Sequence, residues 1–204
     1  MTRLSAAQRA GASGCGGPYR SRLAHVTAGA ERFGGGFGGQ RGVAYRLEEE
    51  TEADWWEVEA LYDLCFAPGR TALSSYRLRE GVPTVAPLCL CLRDDDGTLV
   101  AVIRYWPALI GEADVLLLGP VAVHPTRQGE GLGGLLINES LAEARRLGWE
   151  RVLLVGDAPY YSRFGFRKLE GVEMPPPTNP ERVLGLELKA GAWNGVAGRV
   201  TRAT

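Results

Sequence analysis

Apolar and polar positions along this chain repeat with two periods, about two residues and about four, and the switches between them mark the elements. "VAYRLEEE" (43–50) alternates and predicts a first strand. Thr51 and Asp54 in "TEAD" have the spacing of a capping box. Behind them Val58, Leu61, Tyr62 and Cys65 recur at i, i+3, i+4 and i+7, the apolar face of a helix that "APGR" (67–70) ends. A polar stretch around 74–81 follows, then the apolar strand "PLCLCL" (87–92). "RDDDG" (93–97) turns it into "TLVAVIRYW" (98–106), which predicts a hairpin. "PALIGEAD" (107–114) leads to a third strand, "VLLLGPVAV" (115–123).

The second half changes character. "GLLINESLAEARRLG" (134–148) has helical spacing, with Leu136, Ser140, Leu141 and Leu147 along one side. Arg145 and Arg146 suit its negative dipole end, and Gly148 stops it. "RVLLVGD" (151–157) opens with a short, wholly apolar run, as in a strand covered on both faces. A strand, a helix and a strand in that order imply a right-handed crossover with the two strands parallel. "RVLGLELK" (182–189) alternates again and closes the domain. The expected fold class is α/β with a mixed sheet: an antiparallel meander feeding one parallel β-α-β crossover. The expected organisation is a leader over 1–42, one domain over 43–190 and a tail over 191–204.

Composition changes this picture mainly at the N-terminus. The 204 residues are 45% hydrophobic and carry a net charge of −1, ordinary for a globular domain. Residues 1–42, however, hold 11 of the 28 glycines and six arginines against one acid, Glu31. Such a segment buries too little apolar surface to offset its ordering entropy, so it is expected to be disordered. The remaining residues carry 17 bases and 23 acids, which excludes a body built around nucleic-acid phosphates. No apolar run reaches the ~20 residues that span a bilayer, so no membrane partner is expected. Cys15, Cys65, Cys89 and Cys91 form no C-x-x-C pair and only two histidines accompany them, so no metal is expected. Cys89 and Cys91 read instead as small core residues on one side of a strand, in a reduced cytoplasmic protein.

The candidate chemistry centres on "RQGEGLGG" (127–134), which fits two signatures at once. Gly129, Gly131 and Gly134 spell the dinucleotide fingerprint G-x-G-x-x-G. Gln128, Gly131 and Gly133 spell Q-x-x-G-x-G, a pyrophosphate loop of acyl-CoA-dependent N-acetyltransferases. A dinucleotide fold wants its loop directly after the first strand of a parallel sheet, whereas "HPTRQ" intervenes here and a meander precedes it. Asp157 at the end of the next strand is the feature that suits the dinucleotide reading.

"GPVAVHPTRQGEGLGGLL" resembles motif A of the GNAT superfamily of N-acetyltransferases, and "VLLVGDAPYYSRFGF" resembles motif B, with Tyr161 four residues before Gly165-Phe166. The pair is most similar to the bacterial YhbS-like branch, and the resemblance covers roughly 43–189. It implies an enzyme that moves an acetyl group from acetyl-CoA to the amine of a small molecule or peptide. It also implies a site. Val121, Ala122 and Val123 would offer backbone groups to the pantetheine. Gln128, Gly129, Glu130, Gly131, Leu132, Gly133 and Gly134 would wrap the pyrophosphate at a helix N-terminus, where free N–H groups and the dipole favour an anion. Gln128 would donate from its amide, and Glu130, an acid beside an anion, is expected to face solvent. Gly119-Pro120 in mid-strand predicts a bulge or splay, because proline has no N–H for a ladder. Tyr161 would give a proton to the departing thiolate, with Tyr160 as its neighbour and competitor.

Two departures from the pattern matter. "GDAP" stands where motif B carries an asparagine, though Asp157 and Pro159 can still start the helix. The base that deprotonates the amine is unassigned. Glu112 and Asp114 are candidates alongside the plainer reading of surface-loop acids, and His124 reads as structural. An acyl-CoA sensor without turnover is the rival from another class.

Overall fold

The computed structural model describes residues 22–25, 44–66, 68–72 and 74–203. Its frame is one sheet. In chain order the strands are β1 (Arg22–His25), β2 (Ala44–Glu49), β3 (Leu90–Arg93), β4 (Leu99–Ile110), β5 (Ala113–Val123), β6 (Arg151–Val155), β7 (Arg167–Lys168), β8 (Val172–Glu173), β9 (Val183–Glu187) and β10 (Gly198–Arg202). Across the sheet the order is β1-β2-β3-β4-β5-β6-β9-β7. Every neighbouring pair from β1 to β5 is antiparallel, and β5 and β6 are parallel. The helices are α1 (Trp55–Cys65), α2 (Ser74–Arg77), α3 (Leu132–Arg146) and α4 (Ala158–Tyr161).

Alternation in the strands sends side chains to two faces, and each face has its own helix. Leu90, Leu92, Ala101, Ile103 and Tyr105 face α3, which replies with Leu132, Leu136, Ile137, Leu141 and Ala144. Cys91, Leu99, Val102 and Ala122 face α1, which replies with Val58, Leu61 and Tyr62. Val58, Leu61 and Tyr62 are positions that the spacing predicts, as are Leu136, Ser140 and Leu141, while Ile137 and Ala144 widen the buried face of α3 and Leu147 is only partly buried. The capping box forms as well: the Thr51 N–H donates to Asp54 Oδ2 at 2.7 Å, before a 3-10 turn that runs into α1. Ser140, buried in α3, donates to the Leu136 carbonyl at 2.7 Å and pairs with the Tyr105 hydroxyl at 2.8 Å. That bond ties α3 to the centre of the sheet with no unpaired polar atom.

Three expectations need correction. Residues 191–204 are no tail: β10 pairs antiparallel with β4 (Val200↔Ile110) and parallel with β8. The twelve residues of β4 are more than β3 covers, so β10 completes the same edge, and Val200 is buried with Trp106, Val115 and Met174. Arg22–His25 lies within the segment expected to be disordered, yet pairs antiparallel with β2. An open strand edge recruits backbone whatever the side-chain pattern. The rest of the leader expectation lies outside the described residues. Finally, Cys89 precedes β3 and packs by Val85 (Sγ to the carbonyl oxygen, 3.6 Å), while Cys91 faces α1.

If β10 belongs to the core, Val200→Ala leaves a cavity worth about 2 kcal/mol. The melting temperature should then drop by about 4–8 °C. A thermal melt unchanged within 1 °C would return this strand to the status of a tail.

Candidate active site

The site begins where the sheet comes apart. Ile103 pairs with Val121 and Tyr105 with Leu118, so Gly119 and Pro120 together oppose Arg104 alone, the two-against-one count of a β-bulge. On the other edge, β5 pairs with β6 only at Leu116 and Leu117. Beyond Leu117 the two parallel strands diverge, and cavities open on either side of the freed segment.

The first cavity, about 710 Å³, is lined by Val121, Val123, Arg127, Gln128, Gly129, Gly131, Leu132, Gly133, Gly134, Tyr160, Tyr161, Arg163 and Phe164. Gly129 and Gly131 have φ of +86° and +83°, the left-handed region that side chains disfavour. Gly131 is the N-cap of the 15-residue α3, so the loop aims bare backbone at a helix N-terminus. A Cβ built on either glycine would meet nothing within 4 Å, so the space over the loop is open. Arg127 and Arg163 add cationic lining. Open backbone donors, a helix dipole and two guanidinium groups fit a pyrophosphate.

Most of the expected site residues line this cavity, but two, Glu130 and Gln128, depart from their expected parts. Glu130 is only partly turned to solvent, with 26% of its side chain exposed: its carboxylate accepts from the Tyr45 hydroxyl and lies 3.9 Å from Arg127. Burial, then the bond to Glu130, pushes the Tyr45 phenol up to about 12. This pair holds the acid back from the loop's open face, which is how an anion site tolerates it. Gln128 donates from Nε2 to the Val123 carbonyl at 3.3 Å, and Cys65 Sγ meets that same oxygen at 3.3 Å. Ala122 is buried against α1, so only its backbone can serve the cavity.

The second cavity, about 290 Å³, includes Phe66, Tyr76, Arg79, Leu117, Gly119, Pro120, Gly156, Asp157 and Arg182 in its lining. Val121, Tyr160 and Tyr161 line both cavities. The two tyrosines meet edge to face, ring centroids 5.0 Å apart, but take different seats. A Cβ on Gly133 would stand 3.0 Å from the Tyr160 hydroxyl, placing that phenol at the start of α3. Tyr161 instead packs inward against Phe166, ring centroids 5.8 Å apart, over Gly156. A Cβ on Gly156 would lie 2.3 Å from its ring, so only glycine lets Tyr161 seat there. Burial, then Tyr160, raises the Tyr161 phenol to about 12.

Beneath the bulge lies a charged lattice that no motif marks. Arg104 donates through Nε to Glu50 at 2.8 Å and through Nη1 to Glu59 at 2.8 Å. Arg70 reaches Glu59 (2.7 Å), Asp63 (2.9 Å) and the Tyr76 hydroxyl (2.9 Å). Burial pulls Arg104 down in pKa, but the bonds to Glu50 and Glu59 outweigh it and the net direction is up. Only the fold brings these residues together, from the end of β2, α1, β4 and the segment after α1.

The remaining candidates fall away. Glu112 and Asp114 flank the start of β5 and line a separate cavity with Gly148, Trp149 and Arg151. Seven residues of strand separate Asp114 from Val121, about 23 Å at ~3.3 Å per residue, so neither acid can take a proton at the splay. His124 accepts from the Thr126 N–H at 3.3 Å and caps a 3-10 turn, as expected. Asp157 stands at the N-cap of α4 with Pro159 in the first turn, but its side chain makes no capping bond. Among the described residues no cluster of His, Cys, Asp or Glu could hold a metal ion.

Residues 55–166 match the Acetyltransferase (GNAT) family, and the chain belongs to it. It is 31% identical over 112 residues to the uncharacterized N-acetyltransferase YhbS of Escherichia coli strain K12, a match spanning 53% of this chain and 65% of that protein. A crystal structure of E. coli YhbS in complex with CoA superposes with a TM-score of 0.70 at 25% identity, covering 82% of this chain and 94% of that one. A GNAT family acetyltransferase from Brucella melitensis in complex with acetyl-CoA superposes with a TM-score of 0.52 at 29% identity, over 74% of this chain and 98% of that one.

Two substitutions separate the loop from the lattice. Gly131→Asp puts a carboxylate on the open loop while aspartate tolerates the left-handed backbone at a cost of about 1 kcal/mol. The variant should stay folded and lose the thermal stabilisation that acetyl-CoA confers; a retained shift would make the loop an ordinary helix cap. Glu50→Gln leaves Arg104 buried and half-paired, at a cost of about 3 kcal/mol. Denaturant titration should register that loss, and an unchanged midpoint would mean the pair contributes nothing.

Proposed function

We propose that this protein transfers an acetyl group from acetyl-CoA to an amine. The observation that carries the proposal is the sharing of Val121, Tyr160 and Tyr161 by the two cavities, which puts a pyrophosphate loop on one side of the splay and room for an acceptor on the other. Gly129, Gly131, Gly133 and Gly134, with Arg127 and Arg163, hold the pyrophosphate, Gln128 braces the loop through the Val123 carbonyl, and the β5 edge that β6 leaves from Gly119 to Val123 orients the pantetheine arm. The CoA and acetyl-CoA seen in the two superposed structures support this assignment. A cytoplasmic setting suits the free thiols of Cys65, Cys89 and Cys91.

Acetyl-CoA supplies an acyl carbon activated as a thioester. Transfer forms one N–C bond, breaks one C–S bond and moves one proton from the amine to the departing sulfur. In our reading Tyr161 gives its proton to the sulfur and regains one from the nitrogen, and Tyr160, its hydroxyl turned to the start of α3, belongs to the cofactor side. The buried phenol near 12 and an ordinary thiol near 8.5 differ by about 3.5 units, so transfer between them is uphill by about 5 kcal/mol. Desolvation of the developing thiolate raises its basicity and narrows that gap. Asp157, the carboxylate lining the acceptor cavity, is placed to receive the ammonium proton.

Release of free thiol from acetyl-CoA, measured over a panel of amines, tests the activity. A protein stabilised by acetyl-CoA that releases no CoA with any amine would be a sensor; one stabilised by NAD(H) and not acetyl-CoA would be neither. Tyr161→Phe should lower turnover by ~10²-fold or more with acetyl-CoA affinity within a few-fold of the native value. Tyr160→Phe should act mainly on that affinity. Because burial raises the phenol, Tyr161 keeps its proton below pH 10 and loses it only towards pH 12. The Tyr161-dependent part of the rate should therefore be flat from pH 7 to 9. Native turnover in Tyr161→Phe assigns the ring to packing.

A further inference from the structure

Four arginines lie under or beside the acceptor cavity, and three of them have partners. Arg104 is paired with Glu50 and Glu59, Arg70 with Glu59 and Asp63, and Arg182 donates Nε to the Gly156 carbonyl at 3.3 Å. Arg79 differs. Among the described residues its Nε and Nη1 are buried and find no hydrogen-bond partner, and no ion pair includes it. The rings of Tyr76 and Trp106 lie 4.6 and 4.7 Å from its guanidinium carbon, and Nη2 lies 3.8 Å from where a Cβ on Gly119 would stand. Ring faces stabilise a cation but accept no conventional hydrogen bond, so Nε and Nη1 remain unmet. The Tyr76 ring is itself held by the bond from Arg70 to its hydroxyl, so the cradle is built in advance of any ligand.

A buried, charged donor set without an acceptor is costly to keep unless a ligand completes it. Burial lowers the Arg79 pKa to about 10, which leaves it charged at neutral pH. Arg79 lines the acceptor cavity together with Asp157, whose carboxylate suits an ammonium. We propose that the acceptor is an amine that also bears a carboxylate, of the α-amino acid class, with its carboxylate on Arg79 and its amine turned to Asp157 and Tyr161. Two carboxylate oxygens match the guanidinium fork in a way that a cationic polyamine cannot. At about 290 Å³ the cavity lies at the small end of ligand sites, which suits a free amino acid. This assignment rests on the acetyl-transfer reading and deepens it.

The test compares each of the twenty L-amino acids with its α-carboxamide and its decarboxylated amine, as acceptors in the thiol-release assay. For the best side chain, kcat/KM should favour the acid by at least 10-fold over both analogues, and Arg79→Met should bring that ratio close to one. Binding supplies a readout independent of turnover: calorimetric titration, with CoA present, of the N-acetyl amino acids against their amides. The acids should bind the native protein at least 10-fold tighter, with the difference lost in Arg79→Met. If no amine is acetylated the activity proposal fails, and the titration alone then decides this one. Equal or better use, or equal binding, of amides and decarboxylated amines by the native protein overturns the assignment. Should Arg79→Met not fold, the native comparison stands by itself and Arg79→Lys, which keeps charge without the fork, supplies the variant arm.

Discussion

A proline has no N–H to give a ladder, and this single deficit in β5 organises the site. With Gly119-Pro120 bulged opposite Arg104, β5 cannot stay in register with both neighbours. It keeps β4 and leaves β6 after Leu117. The loss of a few ladder bonds is offset elsewhere: α1 and α3 bury the two faces of the same strands, and Tyr105–Ser140 ties the centre of the sheet to α3. The freed backbone of β5 then separates two cavities that share only a few side chains. Both binding and chemistry follow from that gap.

Around the gap, charge is handled in two ways. Glu50, Glu59 and Asp63 neutralise Arg104 and Arg70, an arrangement that satisfies buried donors and fixes α1 against β4. Glu130 is drawn aside by Tyr45 and Arg127, so an acid inside an anion loop does no harm. Among the described residues Arg79 pairs with no carboxylate and lies between the rings of Tyr76 and Trp106. Among the described residues the other buried arginines are paired while Arg79 keeps two donors without an acceptor beside a cavity, which concentrates positive potential where a ligand enters.

Glycine carries the remaining geometry. Gly131 accepts the left-handed backbone that starts α3, and Gly156 leaves the space in which the Tyr161 ring sits. One glycine opens backbone to an anion. The other decides which of two adjacent tyrosines turns towards the core.

Local pattern was enough for much of this. The i, i+3, i+4 spacing of Val58, Leu61 and Tyr62 declares an apolar helix face, and Leu90/Leu92 against Cys91 declares a two-faced strand, because periodicity depends only on near neighbours. The glycine loop is legible for the same reason: backbone approach at a helix start needs contiguous small residues. Other features were settled only by contacts distant in sequence. Glu130 reads as a solvent-facing acid until Tyr45, 85 residues away, takes its carboxylate. Glu112 and Asp114 read as possible bases until the length of β5 carries them to the far end of the strand. The segment 191–204 reads as a tail because one five-residue strand has no core of its own; it becomes one when β4 offers an unfilled edge. Arg79 carries no motif at all. Among the described residues its exceptional state is two buried donors, Nε and Nη1, without an acceptor, and only elements distant in sequence define that.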